Sequence, residues 1–93
     1  MLDLNRKYII NSDIVIRGIG DKYWALNVKD GKQFRLNSTS YSIMNAFRDV
    51  TTLDAVVDLI VKEYNVNRMR VVNDCEEIIP FAVEKQLLKE VKS

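Results

Sequence analysis

The chain has 93 residues and a formal net charge of +1, because 14 Lys and Arg residues oppose 13 Asp and Glu residues. Apolar residues make up 47% of the sequence, which indicates one small globular domain and excludes a disordered or fibrous chain. With no His, one Cys and three Gly, the chain lacks the residues of a Ser-His-Asp triad, a disulfide, a zinc site or a Gly-rich phosphate loop. We therefore expect no catalytic residue, no metal ligand and no cofactor.

Charge and hydropathy also narrow the choice of partner and compartment. A net charge near zero argues against nucleic acid, which is bound by proteins with a clear excess of basic residues. The apolar runs are far shorter than the ~20 residues that a membrane span needs. Polar residues such as Asp3 and Lys7 interrupt any N-terminal signal sequence. We predict a cytoplasmic protein that contacts neither membrane nor nucleic acid.

The N-terminal part of the sequence is typical of strands and turns. Residues 7–10 predict a short extra strand or an extended arm. β-branched and aromatic residues then indicate three strands, over residues 14–16, 23–28 and 32–36. Asp30 and Gly31 separate the last two strands and predict an antiparallel hairpin closed by a type I′ turn. In such a meander the third strand lies at an edge of the sheet.

After Asn37 the spacing of apolar residues changes to a helical period. Ser38 or Thr39 can cap a first helix, and a capping-box pattern that begins at Thr51 predicts a second. A third helix is expected from about Arg68. The apolar positions that define the three helices are Ile43, Met44 and Phe47, then Leu53, Val56, Val57, Ile60 and Tyr64, then Val72, Cys75, Ile79 and Val83 with Val71, Ile78 and Ala82 beside them.

Pro80 lies inside the third helical pattern. Because proline lacks an N–H and clashes with the carbonyl four residues earlier, it predicts a kink or a break near Ile79. The tail beyond Lys85 either continues this helix or returns over the core. Strands followed by helices predict an α+β fold.

Two features of the sequence invite a functional interpretation. Asp74, Glu76 and Glu77 surround Cys75, but acids raise a thiol pKa and consecutive helical residues diverge, so a packed apolar cysteine on a solvated helix is favoured. The polar residues of the third strand either protect an edge or form one wall of a peptide-binding groove. Physical reasoning on the sequence leaves these two alternatives open.

Three segments carry a family resemblance. FRLNSTSYSIMNAF, TTLDAVVDLIVKEYNV and VVNDCEEIIPFAVEKQLL, in this order and spacing, resemble the PqqD-like proteins, also called RiPP recognition elements. The resemblance covers about residues 13–88 and implies one such domain over residues 13–93, preceded by an arm or strand over residues 1–12. It implies a fold similar to winged helix-turn-helix domains, with a three-stranded antiparallel sheet packed on three helices.

The resemblance implies a function as well. Such domains are non-catalytic chaperones that bind the leader of a ribosomally made precursor peptide by strand addition and present it to an enzyme. That partner is a radical SAM enzyme or a leader peptidase and cyclase, in a lasso-peptide or PQQ-type pathway. The peptide-binding residues implied here are Lys32, Gln33, Phe34, Arg35 and Leu36 on the strand, and Arg68, Val71, Val72, Asp74, Cys75, Ile78 and Ile79 on the third helix.

The sequence departs from the family at two places, Pro80 and the pair Lys85 and Gln86, where a glycine is common. Two other functions remain as alternatives. A winged-helix DNA-binding regulatory domain would need a basic recognition helix, whereas the third helix is mixed in charge. A structural domain of a larger complex would pair its edge strand with a protein partner instead of a leader.

Overall fold

The computed structural model describes residues 2–92. Its elements are β1 (Lys7–Ile10), β2 (Ile14–Ile19), β3 (Lys22–Asn27), β4 (Gln33–Leu36), α1 (Ser38–Asn45), β5 (Thr51–Thr52), α2 (Leu53–Tyr64), α3 (Arg68–Glu84) and β6 (Leu88–Val91). The α+β class and the three helices are confirmed. The strands divide into two sheets, of which the sequence predicted one. The likeness to winged helix-turn-helix domains stays a prediction.

The predicted meander is the sheet β2-β3-β4, called here the hairpin sheet. Ile16, Ala25 and Phe34 lie side by side across its three antiparallel strands and point inward. The turn between β3 and β4 differs from the prediction. It is a five-residue loop, over residues 28–32, in which Gly31 has a φ of 78°, whereas Asp30 does not have the positive φ that a type I′ turn requires.

The second sheet, called the terminal sheet, has the order β5-β1-β6. Its central strand β1 pairs with β6 over four residues, from Lys7 opposite Val91 to Ile10 opposite Leu88, and with the two residues of β5. The tail therefore returns over the core as a strand. Neither β5 nor β6 was predicted, because both pairings join residues far apart in sequence.

The helices begin at side-chain caps, one residue away from those predicted for α1 and α2. The side chain of Asn37, and not of Ser38 or Thr39, accepts a hydrogen bond from the Ser40 N–H at 2.7 Å. At α2 the cap is Thr52 instead of Thr51, and its hydroxyl accepts from the Ala55 N–H at 3.1 Å. These caps satisfy N–H groups that the first helical turn leaves without partners.

Helix α3 runs without a break through Pro80 to Glu84, so of the kink or break predicted near Ile79 the break is wrong and the kink stays a prediction. Pro80 lies on the exposed face of the helix, where water can satisfy the carbonyl that loses its partner. The helix ends in a Schellman motif, in which the Leu87 N–H donates to the Ala82 carbonyl at 2.8 Å. Gln86, where the family commonly has glycine, has a φ of 61° in this motif.

One hydrophobic core lies between the helices and both sheets. Phe47 is fully buried and meets Tyr8 of β1 edge to face, with ring centroids 5.7 Å apart. Within residues 2–92, no helix is both long and apolar enough to cross a membrane. The same residues include no cluster of His, Cys, Asp or Glu suited to a metal ion.

Candidate functional site

The outer edge of β4 carries backbone groups that no strand of residues 2–92 pairs. The N–H of Asn27 donates to the carbonyl of Lys32 at 2.9 Å, so Lys32 directs its backbone toward β3. Backbone groups of successive residues alternate between the two sides of a strand. Phe34 and Leu36 therefore also face β3, and the N–H and C=O groups of Gln33 and Arg35 face outward. The prediction that this strand lies at an edge is confirmed.

The C-terminal half of α3 lies beside the inner face of β4. The ring of Phe81 meets that of Phe34 edge to face, with centroids 6.4 Å apart. Phe81 is 42% exposed, and both Phe34 and Ile78 are half-buried against the core. Ile78 precedes Phe81 by three residues and so shares its side of the helix. The free edge of β4 and this apolar flank of α3, with Ile78 and Phe81, lie beside each other. We call the open surface between them the groove.

Three of the predicted peptide-binding residues lie in the core. Val71, Cys75 and Ile79 are at most 3% exposed and pack in the core, although Val71 also lines the cavity described below; their part in peptide binding stays a prediction. Burial, followed by the charge of Asp74, raises the pKa of the Cys75 thiol to about 11. A thiol with that pKa is unreactive near neutral pH, as the sequence led us to expect.

Two further predicted residues lie on the far flank of α3. Arg68 donates hydrogen bonds to Asp58 and Asp54 of α2, and these bonds, chiefly that to Asp58, raise the pKa of its guanidinium. Val72 follows Arg68 by four residues and therefore lies on the same flank. Asp74 and Ile78 are the predicted α3 residues that are half-buried and lie on the flank near β4.

A cavity of about 380 Å³ continues the groove past the end of β4. It is lined by Tyr23, Ser38, Thr39, Tyr41, Ser42, Ile43, Ile60, Tyr64, Val66, Arg70, Val71 and Asp74. The rings of Tyr23 and Tyr41 stack on one wall with centroids 4.6 Å apart. On another wall the hydroxyls of Ser42 and Tyr64 are hydrogen-bonded at 3.0 Å. The cavity can therefore accept a large side chain against aromatic surface.

The sequence did not single out the cavity tyrosines, Arg70 or Phe81 as site residues. For α3 a signal was present, because Asp74, Ile78 and Phe81 follow each other at spacings of four and three. For the cavity there was none, since its walls come from β3, α1, α2 and α3.

Comparisons with known proteins show a family and a similar fold. The family model described as "Coenzyme PQQ synthesis protein D (PqqD)" matches residues 22–88. A solved structure titled "TbiB1 in Complex with the TbiA(beta) Leader Peptide" is similar to this chain, with a TM-score of 0.74 and 25% sequence identity. The likeness covers 91% of this chain and 99% of that one. No curated protein matches the chain significantly.

Proposed function

The chain belongs to the PqqD family, and from this membership we propose that it binds the leader of a ribosomally made precursor peptide and presents it to a processing enzyme. The observation that carries the proposal is the unpaired edge of β4 beside the apolar flank of α3. The similarity to TbiB1, whose structure is titled as a complex with a leader peptide, supports it.

The leader adds to the hairpin sheet as a fourth strand. Gln33 and Arg35 offer two N–H and two C=O groups, and the N–H of Asn37 can add a fifth bond. At a net ~0.5–1.5 kcal/mol each, these bonds hold the leader in register but do not distinguish between sequences. Selectivity comes from the inward side chains of the leader, which pack on Phe34, Ile78 and Phe81.

The cavity beyond β4 anchors one large leader side chain. Burial of such a side chain contributes about 1.5–3 kcal/mol, comparable to two or three of the backbone bonds. Together the bonds and the apolar contacts are sufficient for binding on the order of 1 μM, or about −8 kcal/mol, after the cost of association.

This chain acts as a binding partner and not as a catalyst. The chemistry falls to a second protein, a radical SAM enzyme or a leader peptidase and cyclase, in a lasso-peptide or PQQ-type pathway. DNA binding is not favoured, because Arg68 of α3 is held by two carboxylates of α2 instead of being available to phosphate. The domain is proposed to cover residues 13–93, preceded by an arm or short extra strand over residues 1–12, which includes β1 of the terminal sheet.

Titration of the isotopically labelled chain with synthetic leaders of the precursor genes adjacent to its own gene tests the proposal. We expect shifts of the amide signals of Gln33, Arg35, Ile78 and Phe81. Shifts confined to the terminal sheet, or no binding by any of these leaders, would contradict the proposal.

A matched pair of variants locates the groove. Phe81→Asp places a charge on the groove side of α3 and is expected to weaken leader binding at least tenfold. Val83→Asp makes a similar change on the far side of the same helix, at 39% exposure against 42% for Phe81, and should leave binding unchanged. Circular dichroism checks that both variants fold. Equal leader binding by the two variants would mean that the leader binds at another part of the chain.

A further inference from the structure

The near-neutral net charge hides a separation of charge between two regions. Residues 14–36, which form the hairpin sheet, contain five Lys or Arg against two Asp. Residues 53–84, which form α2 and α3, contain three Lys or Arg against seven Asp or Glu. The groove lies where the basic region meets the acidic one.

Two of the basic side chains, Arg17 and Arg35, lie on the outer face of the hairpin sheet. Arg17, Trp24 and Arg35 are directly opposite each other across β2, β3 and β4, so their side chains share one face. The inward face is taken by the row of Ile16, Ala25 and Phe34. Arg17 and Arg35 are exposed, and the salt bridges within residues 2–92 involve neither of them.

The helical wall of the groove is acidic on balance, with Asp74 and Glu77 against Arg70. Asp74 precedes Ile78 by four residues and Glu77 precedes Phe81 by four, so both carboxylates border the apolar flank of α3. A strand added to β4 therefore has two different faces. Its outward side chains continue the row that ends in Arg35, and its inward side chains meet apolar surface bordered by carboxylates.

We propose that the leader bound by this chain alternates apolar and acidic residues, with a carboxylate directly opposite Arg35. This inference rests on the proposed function and specifies its ligand. Side chains of an added strand alternate between the faces, so one register places apolar residues on Phe34 and acids beside Arg35. A basic residue opposite Arg35, or an acid turned inward toward Asp74, is repelled, so the walls reject the wrong pattern as well as favouring the right one.

Selection of short random peptides displayed on phage tests the inference without knowledge of the precursor. The targets are the wild-type chain, Arg35→Glu and Lys89→Glu, the last being a matched charge reversal on β6 of the terminal sheet. We expect the wild type and Lys89→Glu to enrich peptides with Asp or Glu at alternate positions between apolar residues. Arg35→Glu should enrich Lys or Arg at those positions.

Binding constants for one enriched peptide complete the test. Replacement of its acid opposite Arg35 by Gln should weaken binding to the wild type about two- to fivefold, as for an exposed cross-strand pair. The same replacement should have no effect on Arg35→Gln, because the partner charge is already absent. Raised salt should reduce the difference.

The possible failures are distinguishable. Peptides that shift the β4 amides but show no charge preference would overturn this inference and leave the proposed function standing. Failure of every peptide and every synthetic leader to bind at β4 would overturn both. Tight, salt-sensitive binding of a DNA duplex that is lost in Arg35→Glu would assign the basic face to phosphate and overturn the inference.

Discussion

The two sheets of this chain each have three strands but differ in what lies beside their edges. The terminal sheet has β1 at its centre, held on one side by the two residues of β5 and on the other by β6. The hairpin sheet ends in β4, whose free edge lies beside the apolar flank of α3. A free edge alone does not make a binding site. A groove arises where the edge also has a neighbouring surface that can receive alternate side chains.

The largest expected effect concerns the terminal sheet. Phe47 is fully buried against Tyr8, and its carbonyl accepts a hydrogen bond from the Ile10 N–H at 2.9 Å. Phe47→Ala should lower the free energy of unfolding by about 3–5 kcal/mol through lost burial and a cavity. Urea denaturation measures this loss of stability. A loss below 1 kcal/mol would mean that the terminal sheet contributes little to the shared core.

The next largest effect is a dependence of the free energy of unfolding on pH, which arises from Cys75 in the core beneath α3. The pKa of Cys75 is raised to about 11 by burial, so the folded chain holds the thiol proton more tightly than the unfolded chain does. The resulting stability, about 2 kcal/mol, is complete below pH ~9 and lost as the pH rises toward 11. Urea denaturation of the wild type and Cys75→Ala across this range isolates it, since the raised pKa of Tyr8 affects both proteins alike. Parallel curves would contradict the prediction.

The variant Phe34→Ala tests whether the hairpin sheet contributes mainly to leader binding or mainly to stability. Phe34 is half-buried and meets Phe81 on the wall of the groove. Phe34→Ala should weaken leader binding about tenfold, or ~1.4 kcal/mol, while lowering stability far less than Phe47→Ala does. Calorimetric titration and urea denaturation of both variants give the two quantities. A Phe34→Ala protein that is as unstable as Phe47→Ala would show that the hairpin sheet is also mainly structural.

The smallest expected effect is a gain in stability. Gln86 has a φ of 61° at the end of α3, a conformation that costs an L-residue energy and costs glycine little. Gln86→Gly should therefore raise the free energy of unfolding by about 0.5–1 kcal/mol without altering leader binding. Thermal and urea denaturation measure the change. Destabilisation would mean that the side chain of Gln86 contributes more than its backbone strain costs.

Much of the fold followed from local sequence. β-branched and aromatic residues and the Asp30-Gly31 turn signal predicted the hairpin sheet, and the helical spacing of Leu53, Val56 and Ile60 predicted α2, because each pattern involves residues only a few positions apart. The strand half of the candidate groove followed from the same pattern. The caps at Asn37 and Thr52 were each misplaced by one residue, since several neighbouring side chains there could accept the same bond.

The helix half of the groove depended on tertiary packing. The sequence identified α3 as broadly apolar, but only its position against α2 decided that Arg68 and Val72 face away from β4 while Phe81 faces toward it. Likewise, only folding brought Lys7 opposite Val91 and gathered the tyrosines of the cavity from separate elements. The spacing of apolar residues identifies a helix or a strand, but it does not indicate which neighbouring element packs against each of its faces. The sequence by itself thus determined the three helices and the hairpin sheet, and packing determined the terminal sheet and which strand edge and helix flank lie together.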